Sequence, residues 1–425
     1  MPDNSYYLTA AQAAAALGVT RATLYAYTSR GQLRSESTPG RSKERRYHRE
    51  DVDRLRERKE TRRDPAKAAA RGLHWGGPVL ESGITLIHDG RFFYRGHDVL
   101  ALAQSATLED VAALLWEADA HEQERLFEQR CPLSRRQLIS LRSLTTDSLA
   151  GVQAALPIAA ALDIASFDLS PRAVRLTGAR ILRLVTTLLA GHDSPGPAHR
   201  MLQARWAPRR PAIAETIRTA LVLCADHELN VSAFTARCAA SAGASPYQAV
   251  CAALAAFRGY RHGGAAERVL ALLRNAHTPG DARALLAERL KRGEGMPGFG
   301  HRLYPSGDPR AVALLRLAEA GGNDKEWKRI RQVLRASSEL LHDRPNVDFG
   351  LAAVTAAYRL PDTAPTLLFA VGRTAGWIAH AMEEYASGEL IRPRARYRGP
   401  SPHVVSHEAM ALSGQLRSSQ TAATK

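Results

Sequence analysis

Apolar and polar positions along this chain alternate with a helical period almost throughout. Leucines and alanines recur every three or four residues from Leu108 to Leu115, and again at Leu138, Leu141 and Leu144, the stripe of an amphipathic helix. One such segment follows another from Asp98 to about Leu189; they resume from Ala212 to about Leu360 and from Ala364 to Ala386. His192 to Pro211 reads as a loop, because Pro195, Pro197, Pro208 and Pro211 interrupt helical pairing. Ile84–His88 and Arg91–Arg95 are apolar runs flanking Asp89-Gly90, a strong hairpin signal and nearly the only strand candidate.

The first sixty residues have a pattern of their own. Thr9-Ala-Ala-Gln12 is a capping box opening a short helix from Ala10 to Leu17 that stops at Gly18. Thr20 then caps a second helix, Arg21 to about Ser29, ending at Gly31. Two short helices about a tight Gly-containing turn predict a helix-turn-helix. Gln32 to Tyr47, rich in Gly, Ser and Pro, carries Arg34, Arg41, Lys43, Arg45 and Arg46, and a third helix follows from Glu50 to Glu60. Residues 61–77 lack periodicity and read as a linker, and residues 401–425 as a polar tail.

Composition narrows the class. The 425 residues are 45% hydrophobic but only 6% aromatic, so the expectation is a mainly α, globular protein. No apolar run approaches the roughly 18 residues of a spanning helix, and the first residues lack a signal-peptide pattern. The expectation is therefore no membrane and a cytoplasmic location. Cys131, Cys224, Cys238 and Cys251 form no Cys-x-x-Cys pair, so neither a disulfide framework nor a metal site is expected. A net charge of +16 and a pI near 10.1 invite a polyanionic partner. The excess is concentrated: residues 1–72 hold sixteen basic and nine acidic side chains.

This module resembles the winged helix-turn-helix of the MerR and excisionase type, through Leu8-Thr9-Ala-Ala-Gln, Leu17-Gly-Val-Thr, Thr23-Leu-Tyr25, Arg45-Arg46-Tyr47 and Asp51-Val52. The resemblance implies double-stranded DNA as a partner, with Arg21, Tyr25 and Tyr27 facing the major groove and Arg41, Arg45 and Arg46 along phosphates. The plainer alternative is a small appendage with solvated charges or protein contacts.

Polar groups also interrupt the large helical region. They are Asp226-His227-Glu228, Arg261-His262-Gly-Gly, Pro297-Gly298-Phe299-Gly300-His301, Asp308-Pro309-Arg310, Arg344-Pro-Asn-Val-Asp348, Arg373 and Arg392-Pro-Arg394. Singly each has an ordinary reading. Asp348 could be a first-turn carboxylate favoured by the helix dipole, Arg373 a structural cation and Arg392 a surface one.

Together, and in this order, they resemble the citrate synthase family over about residues 80 to 400. The resemblance implies a large helical domain (78–262 and 362–400) and a small one (263–361) after the first module (1–60), usually as a homodimer. It implies condensation of an acyl-CoA with oxaloacetate and thioester hydrolysis, with no cofactor beyond the CoA substrate and no metal. Acetyl-CoA is the default; 2-methylcitrate formation from propionyl-CoA, or a DNA-binding regulator sensing such metabolites, are the alternatives. By the same resemblance Asp348 is the base, His262 the enolate stabiliser and His301 the polariser of the oxo-acid carbonyl. Arg310, Arg373 and Arg392 clamp carboxylates, His227 orients the oxo acid, and Pro297, Gly298, Phe299 and Gly300 meet CoA. The chain departs from the family pattern at Ala266 (often Asn), Cys224 (often His) and Pro305 (often basic), positions that bear on the choice of substrates.

Overall fold

The computed structural model describes residues 7–38, 41–49, 51–53, 55–56, 80–395 and 397–400, without the side chains of 38 and 41–44. The end of the third helix, the linker (61–77) and the tail (401–425) lie outside the described residues. The chain divides into two compact units, 1–83 and 84–425.

The first unit opens with β1 (Tyr7–Thr9), α1 (Ala10–Leu17) and α2 (Arg21–Ser29), followed by β2 (Ser35–Thr38) and β3 (Arg41–His48). Thr9 and Gln12 cap α1 reciprocally, and Gly18 ends it at φ 59°, a left-handed turn that glycine adopts without strain. The strands form an antiparallel sheet in the order β1-β3-β2. The sequence pattern suggests an irregular basic loop there, since β2 and β3 are polar on both faces. Their register is set by Tyr47, which is buried with Leu8, Leu17, Leu24, Leu33 and Val52. Asp51 holds the base of the hairpin, accepting from the backbone N and Nε of Arg34 at 2.8 Å and from Nη2 at 2.9 Å.

The second unit begins with β4 (Thr85–His88), β5 (Arg91–Tyr94) and β6 (His97–Asp98). Asp89 and Gly90 at φ 49° and 72° make the tight hairpin turn. Helices follow: α3 (Val99–Ser105), α4 (Leu108–Leu115), α5 (Ala120–Leu126), α6 (Arg135–Leu144), α7 (Ser148–Leu162), α8 (Pro171–Ala190), α9 (Ala198–Trp206) and α10 (Ile213–Cys224). Next come α11 (Val231–Ser241), α12 (Pro246–Phe257), α13 (Ala265–Asn275), α14 (Pro279–Lys291), α15 (Pro309–Gly321), α16 (Asp324–Leu340), α17 (Val347–Tyr358) and α18 (Ala364–Ser387). Helix α9 corrects the loop expected over 192–211. Pro197 is its N-cap residue and Pro208 lies beyond its end, so the prolines bracket a helix and break none.

The long helix α18 runs through the core, packing on α10, α11, α12 and α8, while α17 packs on α15 and α13. Glycines bring α18 against the end of α10: a Cβ on Gly372 would stand 2.6 Å from the Leu221 carbonyl oxygen, and one on Gly376 2.4 Å from that of Ala225. The Gly376 N–H donates to the Ala225 carbonyl at 3.0 Å. That close approach fixes where the chain leaves α10, and so where His227 begins.

Candidate active site

Asp226, His227 and Glu228 follow the last residue of α10 in a turn, with Glu228 at φ 54°. The wholly buried Asp226 accepts from Thr85 Oγ1 at 2.6 Å and lies 3.3 Å from His380 Nε2. Its backbone carbonyl accepts from the Tyr94 hydroxyl at 2.9 Å. Hairpin, α18 and turn are thereby locked, and His227 is buried with Nε2 3.0 Å from the Tyr304 hydroxyl. Burial, followed by the charge of Arg310, holds its pKa well below the ordinary value.

The segment from Met296 to Pro309 is stapled to the start of α17. Gly300 N–H donates to the Arg344 carbonyl at 2.8 Å, Asn346 N–H to the Gly298 carbonyl at 2.9 Å, and Asn346 Nδ2 to the Gly300 carbonyl at 3.0 Å. Gly298 sits at φ 82°, with room for no Cβ: it would stand 2.5 Å from Val269 Cγ2. Pro297, Gly298 and Phe299 are buried and Gly300 half-buried, making the loop a packed wall.

His301 leaves this wall with its ring centroid 5.0 Å from those of His227 and Tyr304. The Leu303 N–H donates to His301 Nδ1 at 3.2 Å, which places the ring proton of the neutral imidazole on Nε2. Burial and then Arg310 push its pKa down to about 4, so it is neutral at pH 7.

Arg310, buried at the start of α15, pairs bidentately with Asp308: Nε to Oδ1 at 3.0 Å and Nη2 to Oδ2 at 2.8 Å. Asp308 Oδ2 also accepts from Val347 N at 3.0 Å. One carboxylate thus joins loop, α15 and α17. Nη1 of Arg310 has no hydrogen-bond partner among the described residues. Arg373, buried on α18, donates Nε to the Cys224 carbonyl at 2.9 Å, while its Nη2 is buried without a partner. Its guanidinium lies 4.9 Å from the Phe369 ring centroid.

His262 sits on the turn before α13, packed edge-on against Phe257 and Phe369. Ser232 Oγ lies 2.8 Å from its Nε2 and also meets Asn230 Oδ1 at 2.7 Å and Trp377 Nε1 at 3.0 Å. The Ser232 hydroxyl donates to Asn230 Oδ1; with its proton turned to Nε2 instead, the ring carries its own proton on Nδ1, free to donate elsewhere. Burial, then Arg373, pushes the pKa of His262 down to about 4. Asp348, in the first turn of α17, is the opposite case. Its Oδ1 is buried without a hydrogen-bond partner, and burial pushes its pKa up to about 7 against the pull of Arg310.

The structure therefore gathers His227, His301, Arg310, Arg373, His262 and Asp348 about one region of the second unit. Arg392 is not among them: it is exposed, on the segment after α18. Ser232 and Tyr304 hold the site together but escape sequence reasoning, because the histidines they meet, His262 and His227, are distant in the chain. Asn346 lies in a motif the sequence marks, but its bonds to Gly298 and Gly300 show only in the fold. Among the described residues no group of three His, Cys, Asp or Glu side chains is placed to hold a metal ion.

On the first unit Arg21 and Tyr25 are exposed one turn apart on α2, Tyr25 by 52%. Tyr27 is half-buried and packs against the module's core, two positions round the helix from Tyr25. Arg45 is exposed and reaches Ser35 Oγ at 3.2 Å. Arg46 is engaged within the module, 3.1 Å from Glu36 Oε2 and over the Tyr7 ring, which leaves it less free for a phosphate. The backbone of Arg41 begins β3; its side chain lies outside the described residues.

Fold and polar cluster together define a class: a helical enzyme whose acid–base groups are buried beside cations suited to an anionic carbonyl compound. Residues 72–394 match the family described as citrate synthase, C-terminal domain, and residues 7–60 match a helix-turn-helix domain. The chain belongs to the citrate synthase family, transferases whose reaction is a condensation of an acyl-CoA with oxaloacetate. It is 31% identical to citrate synthase 2 of Bacillus subtilis, over 78% of this chain and 96% of the relative. It is also 31% identical to a 2-methylcitrate synthase of Mycobacterium tuberculosis, over 73% and 86%. The citrate synthase of Thermoplasma acidophilum, solved with carboxymethyl coenzyme A and oxaloacetate, superposes with a TM-score of 0.68. The two are 25% identical, and the match covers 80% of this chain and 99% of that one.

Proposed function

We propose that the enzyme condenses acetyl-CoA with oxaloacetate and hydrolyses the resulting thioester to citrate and CoA. The observation that carries this reading is Asp348, a half-buried carboxylate whose Oδ1 is buried without a partner and whose pKa is pushed up to about 7 beside the charges of Arg310 and Arg373. A thioester methyl group is very weakly acidic, so its base needs a partner that stabilises the enolate as it forms. Asp348 takes the methyl proton while His262 donates to the thioester oxygen. The enolate carbon then attacks the ketone carbon, and His301 stabilises the alkoxide by a hydrogen bond from Nε2 until the oxygen takes up a proton, balancing the one Asp348 removed. Water cleaves the thioester and CoA leaves as the thiol. Nη1 of Arg310 and Nη2 of Arg373 are the donors available for the oxo-acid carboxylates, with His227 beside them. In this reading the loop 297–300 receives CoA.

CoA-thiol release with oxaloacetate and either acetyl-CoA or propionyl-CoA tests the proposal. Acetyl-CoA is expected to be favoured in kcat/KM by about ten-fold or more, the discrimination one methylene allows. The reverse preference would make 2-methylcitrate the product, and no release with either thioester would remove the reading.

A second reading is favoured by the first unit, whose match to a helix-turn-helix domain accompanies an exposed Arg21, Tyr25 and Arg45. In it the full chain binds double-stranded DNA, with affinity falling steeply as salt rises. Fluorescence anisotropy on genomic fragments, with and without oxaloacetate and CoA, is the check. Affinity equal to that for random duplex, whatever the ligand, would sink it.

A further inference from the structure

The turn that carries His262 also holds chemistry that the condensation leaves unused. Tyr260 is 68% exposed, and Arg261 and Arg268 are exposed beside it. The three are bound together: Arg261 Nε donates to the Tyr260 hydroxyl at 3.0 Å, and Arg268 Nη2 donates to the Tyr260 carbonyl at 2.8 Å. Two guanidiniums are thus held at one residue, two positions before His262. Some exposed arginines of this unit find acids, as Arg258 does with Asp147 at 2.5 Å. Among the described residues neither Arg261 nor Arg268 has a carboxylate partner.

Two cations held at one residue without an acid form a place that an anion can complete, and a planar guanidinium fork suits phosphate oxygens. The place matters as much as the charge. Arg261 adjoins His262 in sequence, and Arg268 lies on the first turns of α13, close enough for its charge to favour the ionised form of Asp348. We propose that Arg261 and Arg268, held by Tyr260, are the phosphate-binding subsite for the CoA moiety of the substrate. This rests on the acyl-CoA reading above and gives Arg261 and Arg268 a role that the sequence reading left unassigned. The chemistry is a phosphate ester or diphosphate at the mouth of the site, away from the reacting carbon.

The test is binding of CoA itself to the full chain by titration calorimetry, alongside the steady-state KM for the acyl-CoA. Arg261→Ala and Arg268→Ala are each expected to weaken CoA binding and raise the KM for acyl-CoA about ten-fold, as a lost charge-assisted hydrogen bond would. The KM for oxaloacetate should move less than about two-fold, and Arg→Lys should recover part of the loss, since phosphate accepts a point charge. The acyl thioester of pantetheine, which lacks the phosphates, should be used equally poorly by wild type and by the Arg261→Ala/Arg268→Ala double variant. Unchanged CoA affinity in the double variant would overturn the proposal, as would a loss that appears equally with the pantetheine thioester. A wild type that binds CoA but shows no turnover would count against the condensation reading and leave this one standing on calorimetry.

Discussion

Asp348→Ala is expected to lower kcat by about 10²- to 10⁴-fold, the range a positioned general base supplies, with the helical circular dichroism unchanged. In the wild type, kcat/KM should rise with pH and level off above about 7, because Asp348 acts ionised and burial has lifted its pKa to about 7. His262 and His301, pushed down to about 4, are already neutral across that range. A profile levelling off near pH 4 would instead mean a base with an ordinary carboxylate pKa. The same shift makes a stability prediction of definite sign. Unfolded aspartate titrates near 3.9, so between about pH 4 and 7 the unfolded chain binds fewer protons than the folded one. Stability contributed by Asp348 is therefore lost as pH rises through that window. Asp348→Asn removes the ionisation, so the variant should gain stability relative to wild type at pH 8 compared with pH 5, read from denaturant midpoints. The base would be maintained at the expense of the fold.

Asp308→Ala should be the most damaging single change to stability, costing about 3–5 kcal/mol, the usual consequence of leaving a buried charge unpaired. Asp308 is nearly inaccessible, accepts twice from the guanidinium of Arg310 and once from Val347 N. Its loss strands the Arg310 cation and unties α15 from the start of α17, the turn that holds Asp348. Urea denaturation measures the cost. The double variant Asp308→Ala/Arg310→Met should regain a large part of it, since replacing both partners by apolar groups removes the unpaired charge. A loss below about 1 kcal/mol in the single variant would show that the pair is not what joins these elements.

Much of this was legible from the chain alone, for identifiable reasons. The Thr9/Gln12 capping box, the glycine stop after α1 and the Asp89-Gly90 turn are local devices, complete within four residues, and the structure has each of them. Helical periodicity found most of the second unit, because a buried stripe repeats every turn. It failed at α9, where flanking prolines looked like breakers, and at β2 and β3, where polar residues on both faces hide the alternation.

The sequence by itself determined the helical class, the modular first segment and the family, through ordered motifs whose residue types survive without their geometry. Only the tertiary structure decided what those residues are physically. A histidine is neutral because Phe257, Phe369 and Arg373 surround it, and a carboxylate titrates near 7 because it is buried with an open oxygen. Arg310 is half spent on Asp308, and Arg392 stands apart from the cluster. Desolvation and pairing depend on neighbours far away in the chain, as Asp226 and His380 are, and no local pattern in a chain encodes them.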